Sequence, residues 1–562
     1  MPLCARLTIA ALVLVISACS KASRPSSNPK EVPATTVQAV ASTPRGPLVV
    51  AVVFDQLGAD TLERLLPILD QQGALRMGIS QGAFYPQVAY PHAVTLTAPG
   101  HALLFTGATP AQTAITGNTL ARAGGVLSSS VDDGKHSVYG LRGVHASPTL
   151  LQAPTVGDAL HAKHGERGAQ VISISLKDRA AILPGGQKAN LAFWYEAAIP
   201  GFTTSTYYAP EIPKFAVDYQ VEHPLSKLSA VWEFVPSATA TPILGPDDAL
   251  GESDYAGFGT VFPHNPKATP SIPAVLRLTP ALSEYLIDFT EHVANTLKLG
   301  QDDVPDLLLL SISGTDYAGH AFGPHSWEYF DHLRRADLAL GKMLRRLEKK
   351  TKLSVLISSD HGVAALPEHK AQGGRLASQE LTSQVESALD AVLGPGDWVL
   401  GFSAPYLYLR PEAQKHPESA RVRKLACEAL SAVKGVHAAF DTHSLQDGAG
   451  SFSPCKPPVG TEPMGLSQSV AESIHPAHSG DFYVVPISRT ILDESSSGTG
   501  TTHGSPWPYD RNVFVVAFGQ GVDHGKHPEL LDTRSVAPSL SALLGIAPPS
   551  KATAKPLPGI AQ

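Results

Sequence analysis

Residues 306–320 read DLLLLSISGTDYAGH, an apolar run that leads directly into Asp316 and His320. Three more stretches combine an apolar run with an acid or an imidazole: VVAVVF before Asp55, SVLISS before Asp360-His361, and Gly-Thr-Thr-His503 shortly before NVFVVAF. A buried carboxylate or imidazole is costly unless a counter-charge lies beside it. Three carboxylates and three histidines form the ligand set of a two-metal hydrolytic centre. The sequence therefore predicts a pair of divalent cations at the ends of core strands.

The apolar runs also predict the fold class. Five of them lack polar alternation, as strands buried on both faces do: PLVVAVVF (47–54), VISISL (171–176), DLLLLSIS (306–313), SVLISS (354–359) and NVFVVAF (512–518). Helices fill the intervals, and the best marked is 326–350, with Ser326 as its cap and a Lys/Arg-rich last turn. We expect an α/β protein, a three-layer α/β/α sandwich with its functional residues at the carboxyl ends of the strands.

Two segments of the predicted catalytic domain, 47–562, have the composition of insertions. Residues 180–275 are rich in proline and aromatic residues, and residues 363–500 contain Gly, Ser and Pro clusters with few long helical patterns. We expect both to cap or wall the site, since long loops in enzymes often do. Structural padding around the core is the alternative for any single aromatic residue there.

The N-terminus reads as an export signal followed by a tether. LTIAALVLVI follows Arg6, and Cys19 comes after small residues, as in a bacterial lipoprotein signal (1–18) whose cysteine is acylated. An ordinary secretory signal cut near Ala18 is the alternative. Residues 19–46, rich in Ser, Thr, Ala and Pro, are predicted to be a flexible tether. We expect a periplasmic or outer-membrane-anchored lipoprotein that touches the membrane through its lipid alone.

Composition and cysteine usage restrict the class of protein and the compartment further. The 562 residues are 43% hydrophobic, which suits a large globular core, and the net charge of −7 does not favour nucleic-acid binding. With Cys4 and Cys19 in the signal region, Cys427 and Cys455 are the only remaining pair. In an oxidising compartment they can form one disulfide, and two separate buried thiols are the alternative.

The nucleophile candidate lies in YPHAVTLTAPGHALL, residues 90–104. Thr97 stands where a helix begins, with Pro99 in the first turn and free backbone amides aimed at any bound anion. A threonine hydroxyl attacks at neutral pH only if a metal lowers its pKa, so this assignment depends on the predicted metal centre. A helix-capping role is the structural alternative for Thr97, and Thr95 is the competing nucleophile.

The motifs recur as a set in one superfamily. They are Asp55, Thr97 with Ala-Pro-Gly-His, Gly117-Asn118, Lys177-Asp178-Arg179, Gly314-Thr-Asp316-x-x-x-His320, Asp360-His361-Gly362 and Thr502-His503-Gly504. Over about residues 47–545 the chain resembles the alkaline phosphatase superfamily, and most of all its PafA-type, phosphate-irrepressible alkaline phosphatases. The resemblance implies an enzyme that hydrolyses small-molecule phosphate monoesters through a phosphothreonine at Thr97 and releases inorganic phosphate, and the N-terminal signal implies that it is exported. We expect it to act as a monomer.

The resemblance also divides the ligands between two zinc ions. It assigns Asp55, Asp360, His361 and the Thr97 oxygen to one zinc, and Asp316, His320 and His503 to the other. Both sets mix carboxylate and imidazole, which suits zinc.

Three further residues are predicted to hold the phosphoryl oxygens. Asn118 resembles the family's phosphate-oxygen donor. Lys177 and Arg179, one residue apart on an extended segment, are expected to project to the same side and meet a dianionic phosphoryl group, although an exposed basic turn is the alternative. Such a pair favours monoesters over diesters.

Three other functions remain open. A phosphodiesterase of the nucleotide pyrophosphatase type would share the metals and the threonine, yet would replace Lys177 and Arg179 by an apolar pocket. A sulfatase would need C/S-x-P-x-R, and the matching residues here are Thr97-Ala-Pro-Gly-His101, which argues against it. A non-catalytic surface lipoprotein would bind phosphorylated ligands without turnover, its metals bracing the fold.

Overall fold

The computed structural model describes residues 46–560, except for 123–125, 370–372, 446–451, 459, 461, 464 and 495–497. The predicted signal peptide, Cys19 and all but the last residue of the predicted tether lie outside the described residues. None of the helices within the described residues combines the length and hydropathy needed to cross a membrane.

Strands and helices alternate along the described chain. The strands are β1 (Pro47–Phe54), β2 (Ala83–Ala89), β3 (Thr119–Arg122), β4 (Val126–Ser129), β5 (Val171–Ser175), β6 (Leu191–Glu196), β7 (Gly201–Thr203), β8 (Asp306–Ile312), β9 (Lys352–Ser358), β10 (Gly374–Ala377), β11 (Val399–Ser403), β12 (Tyr406–Leu409), β13 (Val436–Asp441), β14 (Phe482–Pro486), β15 (Thr490–Asp493), β16 (Asn512–Gly519), β17 (Gly525–Lys526) and β18 (Leu531–Asp532). The α-helices are α1 (Ala59–Leu65), α2 (Ala74–Gln81), α3 (Thr97–Thr106), α4 (Pro110–Thr113), α5 (Val156–His164), α6 (Asp178–Gly185), α7 (Lys214–Glu222), α8 (Thr241–Leu244), α9 (Ile272–Leu276), α10 (Pro280–Thr296), α11 (Gly314–Phe322), α12 (Trp327–Glu348), α13 (Ser378–Leu393), α14 (Pro411–Gln414), α15 (Ser419–Leu430), α16 (Leu466–Ala471), α17 (Pro508–Arg511) and α18 (Val536–Leu543).

A ten-stranded sheet forms the centre, in the order β17-β2-β16-β9-β1-β8-β5-β6-β7, with β18 on β2. All five predicted strands belong to it. β1 pairs in parallel with β8 and β9, and β5 pairs in parallel with β8 and β6. β16 is the exception among the long strands, since it runs antiparallel to β9 and β2. The amino end of β16 therefore lies at the same sheet edge as the carboxyl ends of β1, β8 and β9.

Both faces of the sheet are buried, which makes the fold a three-layer sandwich as predicted. Val50 and Val52 of β1 pack in one hydrophobic core with helices α10 and α12, whereas Val49 and Val53 pack in a second core with α3, α5 and α18. Alternate side chains of one strand thus enter opposite layers. The predicted helix is α12, and the Ser326 hydroxyl caps it by accepting a hydrogen bond from the Tyr329 amide at 3.0 Å.

The first predicted insertion needs a correction at its start. Residues 180–203 do not leave the core, because α6 packs beside it and strands β6 and β7 extend the central sheet. The aromatic run at 193–195 is the inside of β6, where Phe193 and Trp194 are buried. The excursion from the sheet therefore covers residues 204–279, with the short helices α7 to α9, before α10 returns to the core.

The second predicted insertion is a small α/β unit, so the expectation of few long helices was wrong. Strands β11, β12, β14 and β13 form a four-stranded sheet, and α13 and α15 pack on one face of it. The 16-residue helix α13 buries Leu381, Val385 and Leu389, an i, i+4, i+8 stripe narrow enough to be missed among polar residues. We refer to residues 373–494 as the cap.

The cap contains a disulfide between Cys427 of α15 and Cys455, whose Cα atoms are 5.9 Å apart. Cys427 is fully buried among the leucines and valines of the cap core. The bond joins positions 28 residues apart in sequence, so it restrains the loop that follows β13. The alternative of two separate thiols is not what the structure contains.

Replacing both Cys427 and Cys455 by alanine should lower the free energy of unfolding of the cap by about 3 kcal/mol, because the unfolded chain regains the loop entropy. Urea denaturation followed by circular dichroism measures this loss. Wild-type protein in reducing agent is the matched control, and its denaturation midpoint should approach that of the variant. The midpoint of the variant should be the same with and without the reducing agent. An unchanged midpoint in the double variant would contradict the structural role of the bond.

Candidate active site

The predicted metal ligands come together at one edge of the central sheet. Asp55 follows β1, Asp360 and His361 follow β9, and Asp316 lies in α11 directly after β8. His503 precedes β16, whose reversed direction brings its amino end to this same edge. Three of the strands are parallel, and their acids follow them in the sequence. The fourth strand runs in the opposite direction, so its histidine precedes it.

Asp55, Asp360 and His361 form one ligand cluster, with one ligand atom of each within 4.8 Å of the others. His361 Nε2 lies 3.6 Å from Asp55 Oδ1 and 3.4 Å from Asp360 Oδ2. These three atoms are buried and have no hydrogen-bond partner among the described residues. Three unsatisfied ligand atoms that converge in the core fit a bound cation, because each would otherwise lose its solvation without compensation.

Asp316, His320 and His503 form the second cluster. Asp316 Oδ1 lies 3.2 Å from His320 Nε2 and 3.4 Å from His503 Nε2. His361 also stacks on His503 at 3.6 Å between ring centroids, and its ligand atom groups with those of Asp316 and His503 as closely as with the first cluster. The two clusters are therefore contiguous. We assign His320 to the second one because its Nε2 reaches Asp316 directly.

The three histidines are held by the same kind of hydrogen bond. In each, Nδ1 donates to a backbone carbonyl: His320 to Thr501 at 2.7 Å, His503 to Thr95 at 2.7 Å, and His361 to Gly362 at 3.0 Å. This bond fixes the tautomer and leaves the Nε2 lone pair facing the carboxylates. Metal-binding histidines are held in this manner, so the donor set fits two cations with mixed carboxylate and imidazole ligands.

The electrostatics of the clusters agree with that assignment. Burial and the neighbouring Asp360 carboxylate raise the pKa of Asp55 well above its usual value. Burial acts in the same direction on Asp316, but the charges of His320 and Lys177 outweigh it and lower the pKa of Asp316 well below its usual value. Uncompensated carboxylates this close together cannot all ionise, and metal cations are the compensation that such a site normally holds.

Two of the imidazoles are neutral, as ligation requires. Burial lowers the pKa of His361 to about 3, and burial also lowers the pKa of His503. At His320 burial is opposed by the Asp316 carboxylate, which raises the pKa overall. A ligating imidazole must be deprotonated at the coordinating nitrogen, so His361 and His503 need no proton release to bind a cation.

Thr97 is the first residue of α3, and the capping position belongs to Leu96. The capping alternative for Thr97 therefore does not hold. The backbone N–H of the next residue, Ala98, donates a hydrogen bond to Asn118 Oδ1 at 2.9 Å. The prediction that the first-turn amides are free is therefore wrong for this one. The bond orients Asn118 instead: its carbonyl oxygen faces the helix, and its NH2 group is left to donate elsewhere.

Thr95, the competing nucleophile, is committed to the scaffold. Its hydroxyl donates to Ser505 O at 2.9 Å, and its carbonyl accepts from His503. Both bonds tie the segment before α3 to the loop that carries His503. Thr95 therefore positions a ligand, while the Thr97 hydroxyl lies among the charged groups.

Lys177 lies between the two clusters. Its ammonium donates to Asp55 Oδ2 at 2.8 Å, to Asp316 Oδ2 at 2.6 Å and to Thr97 Oγ1 at 3.3 Å. Burial lowers the pKa of Lys177, but the two carboxylates raise it overall, so the side chain is charged. One residue thus links both ligand clusters to the Thr97 hydroxyl.

Arg179 departs from the expected extended segment. Only Lys177 has an extended backbone, as the capping residue of α6, and Arg179 lies within the first turn of that helix. Burial lowers the pKa of Arg179, whereas the charges of Asp178, Asp55 and Asp316 raise it overall. Its Nε is buried without a hydrogen-bond partner among the described residues. The guanidinium therefore lies within electrostatic reach of the clusters and retains an unused donor.

Sequence reasoning missed two supporting residues. Gln56 donates from its backbone to Asp360 Oδ1 at 3.1 Å and from its side chain to Asp316 Oδ1 at 3.0 Å. Its φ of 71° is unusual for a residue with a side chain and marks local strain. His101 donates to Thr97 O at 2.9 Å, and the same nitrogen lies 3.1 Å from Asp360 Oδ2. No motif signals Gln56, although His101 belongs to the quoted Thr97 stretch.

A cavity of about 700 Å³ opens beside the second cluster. It is lined by His320 and Tyr317 of α11, by Tyr255 and Arg277 of the first excursion, and by Phe402 of the cap. Both segments predicted to wall the site do so.

Comparisons with known proteins find relatives that match nearly the whole chain. A family model described as Type I phosphodiesterase / nucleotide pyrophosphatase matches residues 49–505. Alkaline phosphatase PhoV of Synechococcus elongatus is 30% identical over 98% of both chains, and alkaline phosphatase PhoK of a Sphingomonas species is 27% identical over 91% of this chain and 90% of its own. The crystal structure of wild-type alkaline phosphatase PafA superposes with a TM-score of 0.82 at 25% identity, covering 92% of this chain and 99% of that one.

These relatives confirm the predicted superfamily, the three-layer α/β/α fold and the enzyme class, a phosphoric monoester hydrolase. The family match spans both ligand clusters and the cap. The chain belongs to the type I phosphodiesterase / nucleotide pyrophosphatase family of the alkaline phosphatase superfamily.

Proposed function

We propose that this phosphoric monoester hydrolase is an exported, two-zinc alkaline phosphatase that works through a phosphothreonine at Thr97. The observation that carries the proposal is the position of Lys177, whose ammonium contacts a carboxylate of each ligand cluster and the Thr97 hydroxyl. A nucleophile, a charged donor and six metal ligands therefore surround one small volume. Such a volume suits a phosphoryl group in transfer.

The proposed reaction needs two displacements at phosphorus. In the first, the Thr97 oxygen forms a bond to phosphorus while the bond to the ester oxygen breaks, and the alcohol leaves with a proton. In the second, water breaks the bond between Thr97 and phosphorus, which restores the hydroxyl and releases inorganic phosphate. Lys177, Arg179 and the Asn118 NH2 group hold the phosphoryl oxygens through both steps.

Zinc is the cation that the donor set favours. Asp55, Asp360 and His361 with the Thr97 oxygen would hold one ion, and Asp316, His320 and His503 the other. Bound there, the pair supplies positive charge that lowers the pKa of the Thr97 hydroxyl and stabilises the leaving oxygen. The lowered pKa values of His361 and His503 and the converging ligand atoms support this loading.

Monoester preference follows from the charges near Thr97. The phosphoryl group of a monoester carries two negative charges and that of a diester only one, and two cationic side chains bind the more highly charged group more tightly. The name of the matched family includes phosphodiesterases, so the preference is the point to test. A solved variant of PafA carries substitutions at a threonine, an asparagine, a lysine and an arginine, the residue types of Thr97, Asn118, Lys177 and Arg179.

Export with lipid attachment at Cys19 completes the proposal. Its support is the apolar N-terminal run with a cysteine after small residues. The Cys427–Cys455 disulfide agrees with an oxidising compartment, where such bonds persist.

Thr97→Ala should reduce kcat/KM for p-nitrophenyl phosphate at least a thousandfold, roughly, because no other hydroxyl can replace the nucleophile. Zinc content, measured by mass spectrometry, should stay the same. Acid quenching with labelled substrate should trap a phosphoprotein in wild type alone.

Thr97→Ser is the matched control and should retain activity, since it keeps the hydroxyl. Undiminished turnover by the alanine variant would point to direct attack by water and would sink the phosphothreonine. Zinc retention without any turnover in wild type would support the non-catalytic alternative.

Replacing both Lys177 and Arg179 by alanine should lower the ratio of monoester to diester kcat/KM about a hundredfold. Each lost charge-assisted contact with the dianion costs about 1.5–3 kcal/mol. The measurement compares p-nitrophenyl phosphate with bis-p-nitrophenyl phosphate. Lys188→Ala, an exposed cation after α6, is the control and should leave the ratio unchanged. A wild-type enzyme that prefers the diester would refute the assignment.

Removal of divalent cations by a chelator should abolish activity and lower the melting temperature, because three buried ligand atoms then lack a partner. Zinc should restore both properties, and magnesium should restore neither, since its ligand preference is oxygen. Full activity in protein shown to contain no metal would contradict the proposed centre.

A further inference from the structure

The cavity beside His320 contains one cation, Arg277, that the proposed reaction does not use. We propose that Arg277 binds a second anionic group on the leaving-group side, so that the enzyme favours phosphate monoesters whose alcohol carries a carboxylate or another phosphate. This inference rests on the proposed monoesterase activity and names its substrate class.

Tyr317 connects Arg277 to the catalytic groups. The ring lies 5.3 Å from the Lys177 ammonium and 4.8 Å from the Arg277 guanidinium carbon, measured to its centroid. These two distances limit the separation of the two cations to about 10 Å. Tyr317 lies between ligands Asp316 and His320 on α11, so the cation pair flanks the second cluster, where the leaving oxygen departs in the proposed reaction.

Arg277 is oriented but not neutralised. Its Nη2 donates to the Tyr255 hydroxyl at 3.1 Å, its Nε donates to Ala274 O at 3.4 Å, and its guanidinium packs on Tyr317. No carboxylate in the described part of the chain forms a salt bridge with it. A half-buried guanidinium held by neutral partners keeps its charge for a ligand.

The acids that line the same cavity do not cancel this charge. Asp493 pairs with Arg375 at 2.8 Å, and within the described residues neither Asp493 nor Glu494 forms a salt bridge with Arg277. Arg277 is therefore a charged group of the cavity without an acidic partner among the described residues.

The upper limit of about 10 Å between the two cations restricts the length of the alcohol. A substrate must place its phosphoryl group at Thr97 and Lys177 and its second anion at Arg277. A three-carbon phosphoester fits this span, with an ionic hydrogen bond of about 2.8 Å at each end. Short phosphorylated acids and sugar bisphosphates are the compounds that satisfy both contacts.

The test uses two esters that differ at one end only, 3-phosphoglycerate and glycerol 3-phosphate. The ratio of their kcat/KM values should fall about tenfold in Arg277→Gln, because a charge-assisted contact to the carboxylate is lost. Arg277→Lys should retain much of the ratio. Tyr255→Phe, which removes the hydroxyl that orients Arg277, should lower it by a smaller factor.

Lys267→Gln removes an exposed cation from the same excursion outside the cavity and is the control for long-range charge; it should leave the ratio unchanged. Turnover of glycerol 3-phosphate by Arg277→Gln reports that the variant is folded. An unaltered ratio in Arg277→Gln, with both esters hydrolysed, overturns the inference and leaves the phosphatase intact. A wild-type protein that hydrolyses neither of these esters nor p-nitrophenyl phosphate overturns the proposed function itself.

Discussion

Three carboxylates buried at one sheet edge, those of Asp55, Asp316 and Asp360, impose the constraint that organises the rest of the site. They are almost inaccessible to solvent, and Lys177 contributes one positive charge to two of them. Burying these charges costs a large desolvation free energy, which must be offset by cations and directed hydrogen bonds that replace the solvent. The three imidazoles and the side chain of Gln56 belong to that replacement.

Much of the fold and the ligand set could be predicted from one sequence, because core strands on both faces of a sheet read as plain apolar runs. The five strands and α12 follow from that pattern and from Ser326. The ligand residues follow from acids and imidazoles beside those runs. Their division between two metals came from the resemblance, and the contacts are compatible with it.

Other features were beyond the reach of local sequence patterns. The roles of Gln56 and of the Asn118 carbonyl depend on contacts between distant segments, which periodicity does not encode. The segment 180–203 has the composition of an insertion because the aromatic residues of β6, a strand paired on both sides, resemble those of a loop. The helices of the cap were missed because three leucine and valine positions give only a narrow stripe. Arg277 has no motif at all, since its importance comes from Tyr317 beside it.

The cap packs against the segment that leads into Thr97, the proposed nucleophile. The face of its four-stranded sheet opposite α13 and α15 packs Tyr406 and Tyr483 against Val94 and Leu96, the residues that lead into Thr97. Ala93 is also hydrogen-bonded to Ser469 and Ser473 of the same unit. Local loosening of the cap would therefore free the segment before Thr97 while the central sheet and the proposed metal ligands are still folded. The enzyme should accordingly lose activity at a lower temperature, or a lower denaturant concentration, than the one at which its central sheet unfolds.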